Sequence, residues 1–151
     1  MVINAPVEDV FPLLGPIREY DWIPGWEADM IWSESGFAEE GAIFQTALHG
    51  DVEETWVISQ YEPMEKIGFV RYNPSIVTRL SIELTAGNGH TQLIWTQSQV
   101  AMDQNGNGHL GTVNQEDFST NIKNLELMLN YYLDSGEMID EEKLHEAAPS
   151  H

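Results

Sequence analysis

The sequence predicts an α+β fold: a curved antiparallel β-sheet wrapped on one long C-terminal helix, with two short helices near the N-terminus. Three observations predict it. Between Asp29 and Met102 the apolar residues recur with period two and turn residues separate the runs, as in an antiparallel meander. Over residues 112–135, Phe118, Ile122, Leu125, Leu129 and Tyr132 recur at spacings of four, three, four and three, a single buried helical stripe. Ahead of both, Pro6 with Glu8 and Asp9 fits the first turn of a helix, where a missing N–H costs nothing and acidic groups meet the positive end of the dipole.

Taken in order, the first helix runs from Pro6 until Gly15-Pro16 stops it, and a second short turn spans Ile17 to Tyr20. Strands are expected at 29–35, 42–49, 54–61, 66–73, 76–86 and 90–101. The breaks between them are Gly36–Gly41, Gly50-Asp51, Glu62-Pro63, Asn73-Pro74 and Gly87-Asn88-Gly89, of which Asn88-Gly89 is the strongest hairpin signal. A Gly/Asn-rich loop then leads to the long helix, which Thr112 or Asn114 can cap and Gly136 can end in the left-handed conformation. Composition changes at Gly136. Residues 1–136 read as one domain and 137–151 as an acidic tail holding a short helix at most.

Composition excludes several functions. The chain has 151 residues, 42% of them hydrophobic, which suffices for one core of ordinary domain size. Its 25 acidic and 6 basic residues give a net charge of −19, a field that repels nucleic acid and anionic membranes. No apolar run reaches the ~20 residues of a membrane span and no signal peptide is visible, so a cytoplasmic address is expected. Without cysteine there is no disulfide, thiolate metal site or thiol nucleophile. No cofactor and no metal are expected. Gly87–Gly89 is a hairpin turn with no helix behind it to cradle phosphate. Asp103-x-Asn105-x-Asn107-Gly108 matches the first half of a calcium loop, but Asn114 stands where a bidentate Glu is needed. His109 with Asp103 or Glu116 makes no credible zinc set.

The segment Ile3-x-Ala5-Pro6-x-x-x-Val10-Phe11-x-x-Leu14 resembles the strand-to-helix entry of the helix-grip (SRPBCC) superfamily. That group includes START lipid-transfer domains, birch-pollen-allergen-like proteins, aromatic polyketide cyclases and the co-chaperone that activates a heat-shock ATPase. The meander and final helix agree with it, so the resemblance covers residues 2 to about 136. It implies an apolar cavity between sheet and final helix; one scaffold hosting many functions does not say which ligand fills it. One departure stands out. The family has a full first strand before Ala-Pro, whereas this chain offers Met1–Asn4, so that strand reads as truncated and two sheet edges lose a neighbour. An upstream start, a homodimer through the uncovered edge, or a more open sheet would each account for this.

Turn parity orients the strands. A two-residue turn at Asn88-Gly89 sets Ile82 opposite Trp95 and Leu84 opposite Leu93, with Gln97 and Gln99 on the same inward face. One hairpin back, a turn at Pro74-Ser75 sets Arg71 opposite Thr78 and Phe69 opposite Leu80, leaving Arg79 in solvent. A four-residue turn at 62–65 then sets Trp56 against Arg71 and Ile58 against Phe69. The expected cavity wall is therefore Trp56, Ile58, Phe69, Arg71, Thr78, Leu80, Ile82, Trp95 and Gln97, roofed by Phe118, Ile122 and Leu125. A one-residue bulge would flip part of it. For residues 42–49 the phase does not resolve, with Phe44 and Leu48 opposing Ile43 and His49.

Arg71 is the sharpest candidate. An inward guanidinium among apolar side chains needs an acid, a carbonyl or a ring face. It would either anchor a ligand carboxylate or enolate, with Trp56 stacked on it, or form a structural ion pair. Trp22, Trp26 and Trp32 either border the cavity mouth or pack the short helices. His49 is a weak acid–base candidate, since a lone His beside Gly50 is usually a turn residue. The leading expectation is a protein that binds a hydrophobic small molecule: a lipid, a polyketide or an aromatic compound. A polyketide cyclase or aromatase-like enzyme and a co-chaperone-like interaction domain are the alternatives.

Overall fold

The computed structural model describes residues 1–46 and 53–147. Strands β1 (Val2–Ile3), β2 (Ala28–Trp32), β3 (Ile43–Thr46), β4 (Glu54–Glu62), β5 (Lys66–Tyr72), β6 (Ile76–Ala86) and β7 (Thr91–Ala101) form one antiparallel sheet in the order β1-β7-β6-β5-β4-β3-β2. Helix α1 (Val7–Val10) continues into a 3₁₀ turn over Phe11–Leu14, and a second 3₁₀ turn covers Arg18–Asp21. Helices α2 (Gln104–Leu110), α3 (Gln115–Ser135) and α4 (Glu141–Ala147) complete the chain. No helix among the described residues is long and apolar enough to cross a membrane.

Helix ends follow local chemistry. Asn114, not Thr112, caps α3: its side chain accepts from Asp117 N at 2.8 Å. Gly136 closes α3 at φ 76°, a conformation that costs a residue with a Cβ. The loop expected at 103–111 is instead a helix. Asp103 caps it by accepting from Gly106 N at 2.8 Å, and α2 lies so close to the start of β6 that a Cβ on Gly106 would collide with Ser75 O. A glycine that weakens an isolated helix thus lets this one dock.

The hairpin registers pair Ile82 with Trp95, Leu84 with Leu93, Arg71 with Thr78, and Phe69 with Leu80. Between β4 and β5 the pairing near the turn is Glu62 with Lys66 and Tyr61 with Ile67, one residue out of step with a four-residue turn. A bulge between Ile58 and Gln60 absorbs the slip, so Ile58 still faces Phe69 and Trp56 still faces Arg71. In β3 the even residues are inward: Phe44 and Thr46 are buried, Ile43 half-buried.

The two-residue strand β1 is held from both sides. Val2 and Ile3 pair with Gln92 and Thr91 of β7. On its other side Val2 N donates to Glu126 Oε2 at 2.8 Å, Asn4 N to Asn130 Oδ1 at 2.8 Å, and Asn130 Nδ2 to Val2 O at 3.1 Å. Two side chains one turn apart on α3 thereby do for β1 what a neighbouring strand would do. Around this seam lies the core: Ile3, Val10, Phe11, Leu13, Leu14, Trp22, Ile58, Ile67, Leu93 and Leu129. Trp22 belongs to it, its indole N–H donating to Leu13 O at 2.8 Å, whereas Trp32 is exposed.

Candidate functional site

The interior departs from a continuous apolar cavity. Ile58 and Ile82 are fully packed in the core, and Phe69 closes an aromatic cluster with Phe44 and Trp56. Trp56 sits between Phe44 and Arg71 in the strand register. Phe44 stacks on its ring at 5.3 Å and 18°, and its Nε1 donates to Thr46 Oγ1 at 2.9 Å. Ile58 and Ile82 are thus enclosed by protein, at 0% and 2% exposure.

Space remains at the other end, where β4 begins, β5 ends and β6 begins. A hollow of about 640 Å³ is lined there by Glu54, Arg71, Asn73, Ile76, Gln99, Asn105 and His109, among others. Local folding explains how these groups meet. Asn73 Oδ1 accepts from Ser75 N and Ile76 N, both at 2.9 Å, shaping the β5–β6 turn as an Asx turn. Ser75 Oγ donates to Asp103 Oδ2 at 3.0 Å, tying that turn to the start of α2. Asn105 and His109, four apart, then project from one face of α2 toward the hollow.

Arg71 is the cationic group of this site. Its guanidinium lies 5.1 Å from the Trp56 ring centroid, a cation–π distance. Nη1 reaches Glu54 Oε1 at 3.5 Å and Nη2 reaches Gln97 Oε1 at 3.4 Å, both long for charge-assisted bonds. Its buried Nε has no partner. Of the two readings of Arg71 from the sequence, the ion pair has a partner in Glu54, while part of the donor set stays unused. Glu54 is further held by Asn73 Nδ2 at 3.5 Å.

A second hollow, of about 420 Å³, runs between the edge of β7 and α3, lined by Met1, Leu93, Trp95, Phe118 and Ile122 among others. Phe118 and Ile122 are half-buried and stand outside the core, whereas Leu125 packs against it. Leu80 is half-buried beside the core. Asn124, on the same helix, has a buried Oδ1 without a partner. The sequence-predicted wall therefore divides: Arg71, Trp95, Phe118 and Ile122 line hollows, Gln97 touches Arg71, and Ile58 and Ile82 are core. Glu54, Asn73, Asn105 and His109 were not foreseen at the site; strand alternation from Trp56 and Arg71 could have found Glu54 and Asn73, whereas Asn105 and His109 reach it through helix docking that no local pattern signals. His49 lies outside the described residues. Asp103 spends both carboxylate oxygens on structural bonds, and no group of three metal-ligating side chains occurs among the described residues.

Away from the hollows, Glu19 in the second 3₁₀ turn is pushed well above the usual carboxylate range by desolvation.

No family model matches the chain, and no curated protein matches it. Solved structures match in fold. DynU16, from the dynemicin biosynthetic locus, aligns with TM-score 0.63 at 18% identity over 91% of this chain, which spans 46% of DynU16. MLL2253 from Mesorhizobium loti aligns with TM-score 0.57 at 15% identity, covering 87% of this chain and 96% of its own. CalU16 from Micromonospora echinospora aligns with TM-score 0.54 at 17% identity, covering 98% and 82%. The chain shares the fold of these proteins, a helix-grip α+β arrangement of a curved antiparallel sheet with one long helix.

Proposed function

We propose that this protein binds a small aromatic or polyketide-like molecule in the hollow between the open end of the sheet and α2, with Arg71 holding a carboxylate or enolate oxygen. One observation carries the reading: a guanidinium on the wall of a hollow of about 640 Å³, laid over Trp56, with its buried Nε unpartnered. A buried donor left unsatisfied costs about 1–3 kcal/mol, and a ligand oxygen relieves that cost. Ile76 and Pro74 supply apolar contact, and Gln99 and Asn105 the few polar contacts such pockets use. The net charge of −19 opposes an approaching anion, so affinity for an anionic ligand rises as salt screens that field.

The test is a thermal-shift panel of fatty acids, polyketide analogues and aromatic acids, run on the unaltered chain and on Arg71→Gln. The expected result is stabilisation by the aromatic or polyketide compounds that Arg71→Gln loses at least about tenfold in affinity. No shift with any member sinks the reading.

His109 on the same hollow favours a second reading, a cyclase- or aromatase-like enzyme. An imidazole can accept and return the proton that enolisation requires. Turnover of a poly-β-ketone surrogate that disappears in His109→Ala while binding persists would select this reading over binding alone.

A further inference from the structure

The inner face of the sheet is packed, while its outer face carries an apolar row that neither hollow described above uses. In β3, β4 and β5 the inward residues Phe44, Ile58 and Phe69 are buried; Ile43, Val57 and Val70 point the other way and are half-buried. The register sets them side by side: Trp32 opposite Ile43, Ile43 opposite Val57, and Val57 opposite Val70. Arg79 on β6 ends the row. At the β2 end, where a bulge interrupts the pairing between Met30 and Trp32, Ile31 is 56% exposed and Trp32 53% exposed.

The loop after Trp32 is braced from within. Ser35 N donates to Glu39 Oε1 at 2.7 Å, Gly36 N to Ser33 Oγ at 3.1 Å, and Ser33 Oγ to Phe37 O at 2.7 Å. Phe37 stands in that loop 68% exposed. A braced loop loses little freedom on meeting a partner, and under that condition an exposed aromatic ring serves as a binding anchor. The charge around these rings has one sign. Between Arg18 and Lys66 the sequence has no lysine or arginine, and Glu27, Asp29, Glu34 and Glu40 are exposed. Asp29 pairs with Gln45 and so shares the outer face with Trp32.

We propose that this face docks a basic amphipathic segment of another protein. Its apolar side chains would lie on Trp32, Ile43, Val57 and Val70, with Phe37 in the adjoining loop, and its Lys and Arg side chains would meet Asp29 and the neighbouring carboxylates. Charge complementarity selects this occupant. A second copy brings the same carboxylates, and nucleic acid or an anionic membrane brings phosphates, all of which the acidic rim repels; a cationic segment is drawn in. Arg79 at the far end of the row confines the favourable charge to the β2 side. Size agrees with a short helix. Four strands span three spacings of about 4.8 Å, together about 14 Å, the length of a helix of about ten residues. Such a helix presents apolar anchors at i, i+3 or i+4, and i+7. An apolar centre with a charged rim is how protein interfaces are ordinarily built. The row lies across the sheet from Arg71, so this inference is independent of what the hollow there binds.

The probe is a labelled synthetic helix of about 14 residues, Leu on one face and Lys on the other, titrated against the full chain by fluorescence anisotropy. A matched peptide with Ser in place of Leu keeps the charge. The Leu/Lys peptide should bind at least about tenfold tighter than the Ser/Lys peptide, and its affinity should fall as salt rises. Because Trp32 and Phe37 are exposed, Trp32→Ser and Phe37→Ser should each keep the unfolding midpoint while removing most of that preference. Val100→Ser, at an exposed apolar position on β7, should leave the preference intact. Equal affinity for the two peptides overturns the proposal, as does a preference for Leu that survives in Trp32→Ser. Binding of a Leu/Glu peptide as tight as that of the Leu/Lys peptide would overturn it as well.

Discussion

The two halves of the layer between α3 and the sheet differ in how they are filled. Where β1 meets β7, Ile3, Leu93 and Leu129 are almost wholly buried, and Trp22, Ile58 and Ile67 close around them. Toward the N-terminal end of α3, Phe118 and Ile122 are half-buried, and along β7 the inward side chains pass from buried Leu93 to half-buried Trp95, Gln97 and Gln99. The same helical stripe therefore serves as core over its last turns and as the wall of a hollow over its first. Periodicity identifies the face of a helix that turns inward; it does not tell whether protein or ligand meets that face.

The largest expected effect tests the packed half. Leu129→Ala removes a fully buried side chain and should cost about 2–5 kcal/mol in urea unfolding, whereas Phe118→Ala should cost under about 1 kcal/mol. Equal losses would erase the distinction. Next comes the roof of the open half. Gly106→Ala would stabilise an isolated helix, but here the added methyl meets Ser75 O, and a loss of about 1–3 kcal/mol is expected, with α2 displaced and ligand affinity reduced. A gain in stability would mean that α2 does not dock as closely as described.

The smallest effect concerns Glu19, beside the packed half. Its folded pKa lies above the ordinary 4.5, so across the interval between the two values the folded chain holds more protons than the unfolded one. This group's contribution is therefore most favourable below that interval and is lost as pH rises through it. Glu19→Gln should raise the thermal midpoint at pH 7 and lose that advantage near pH 4. The same increment at both pH values would show that the carboxyl is not desolvated.

Much of the sheet was legible because hairpins propagate register. Asn88-Gly89 and Pro74-Ser75 sufficed to set Arg71, Thr78, Leu80, Ile82 and Trp95 on one face, where the structure has them. Trp56 faced Arg71 for an additional reason, since a bulge cancelled a slip at the turn. The site was less legible. The phase of residues 42–49 did not resolve, so the Phe44–Trp56 stack was invisible. Helix α2 was hidden because its glycines and asparagines argue for a loop; Asp103 and the close approach to Ser75 override that propensity. His109 and Asn105 reach the hollow only through that docking, so no spacing in the chain could have brought them to Arg71.

The bulge at Ser59 has a consequence for how this protein could diverge. It lies between the Glu62–Lys66 turn and the Trp56–Arg71 pair, and it takes up one residue of slack. A deletion in that turn accompanied by straightening of the bulge would leave the arginine over the same indole. Relatives could thus change the length of this hairpin tip by a residue without moving the cation, and an alignment that forced a gap through β4 would misplace it.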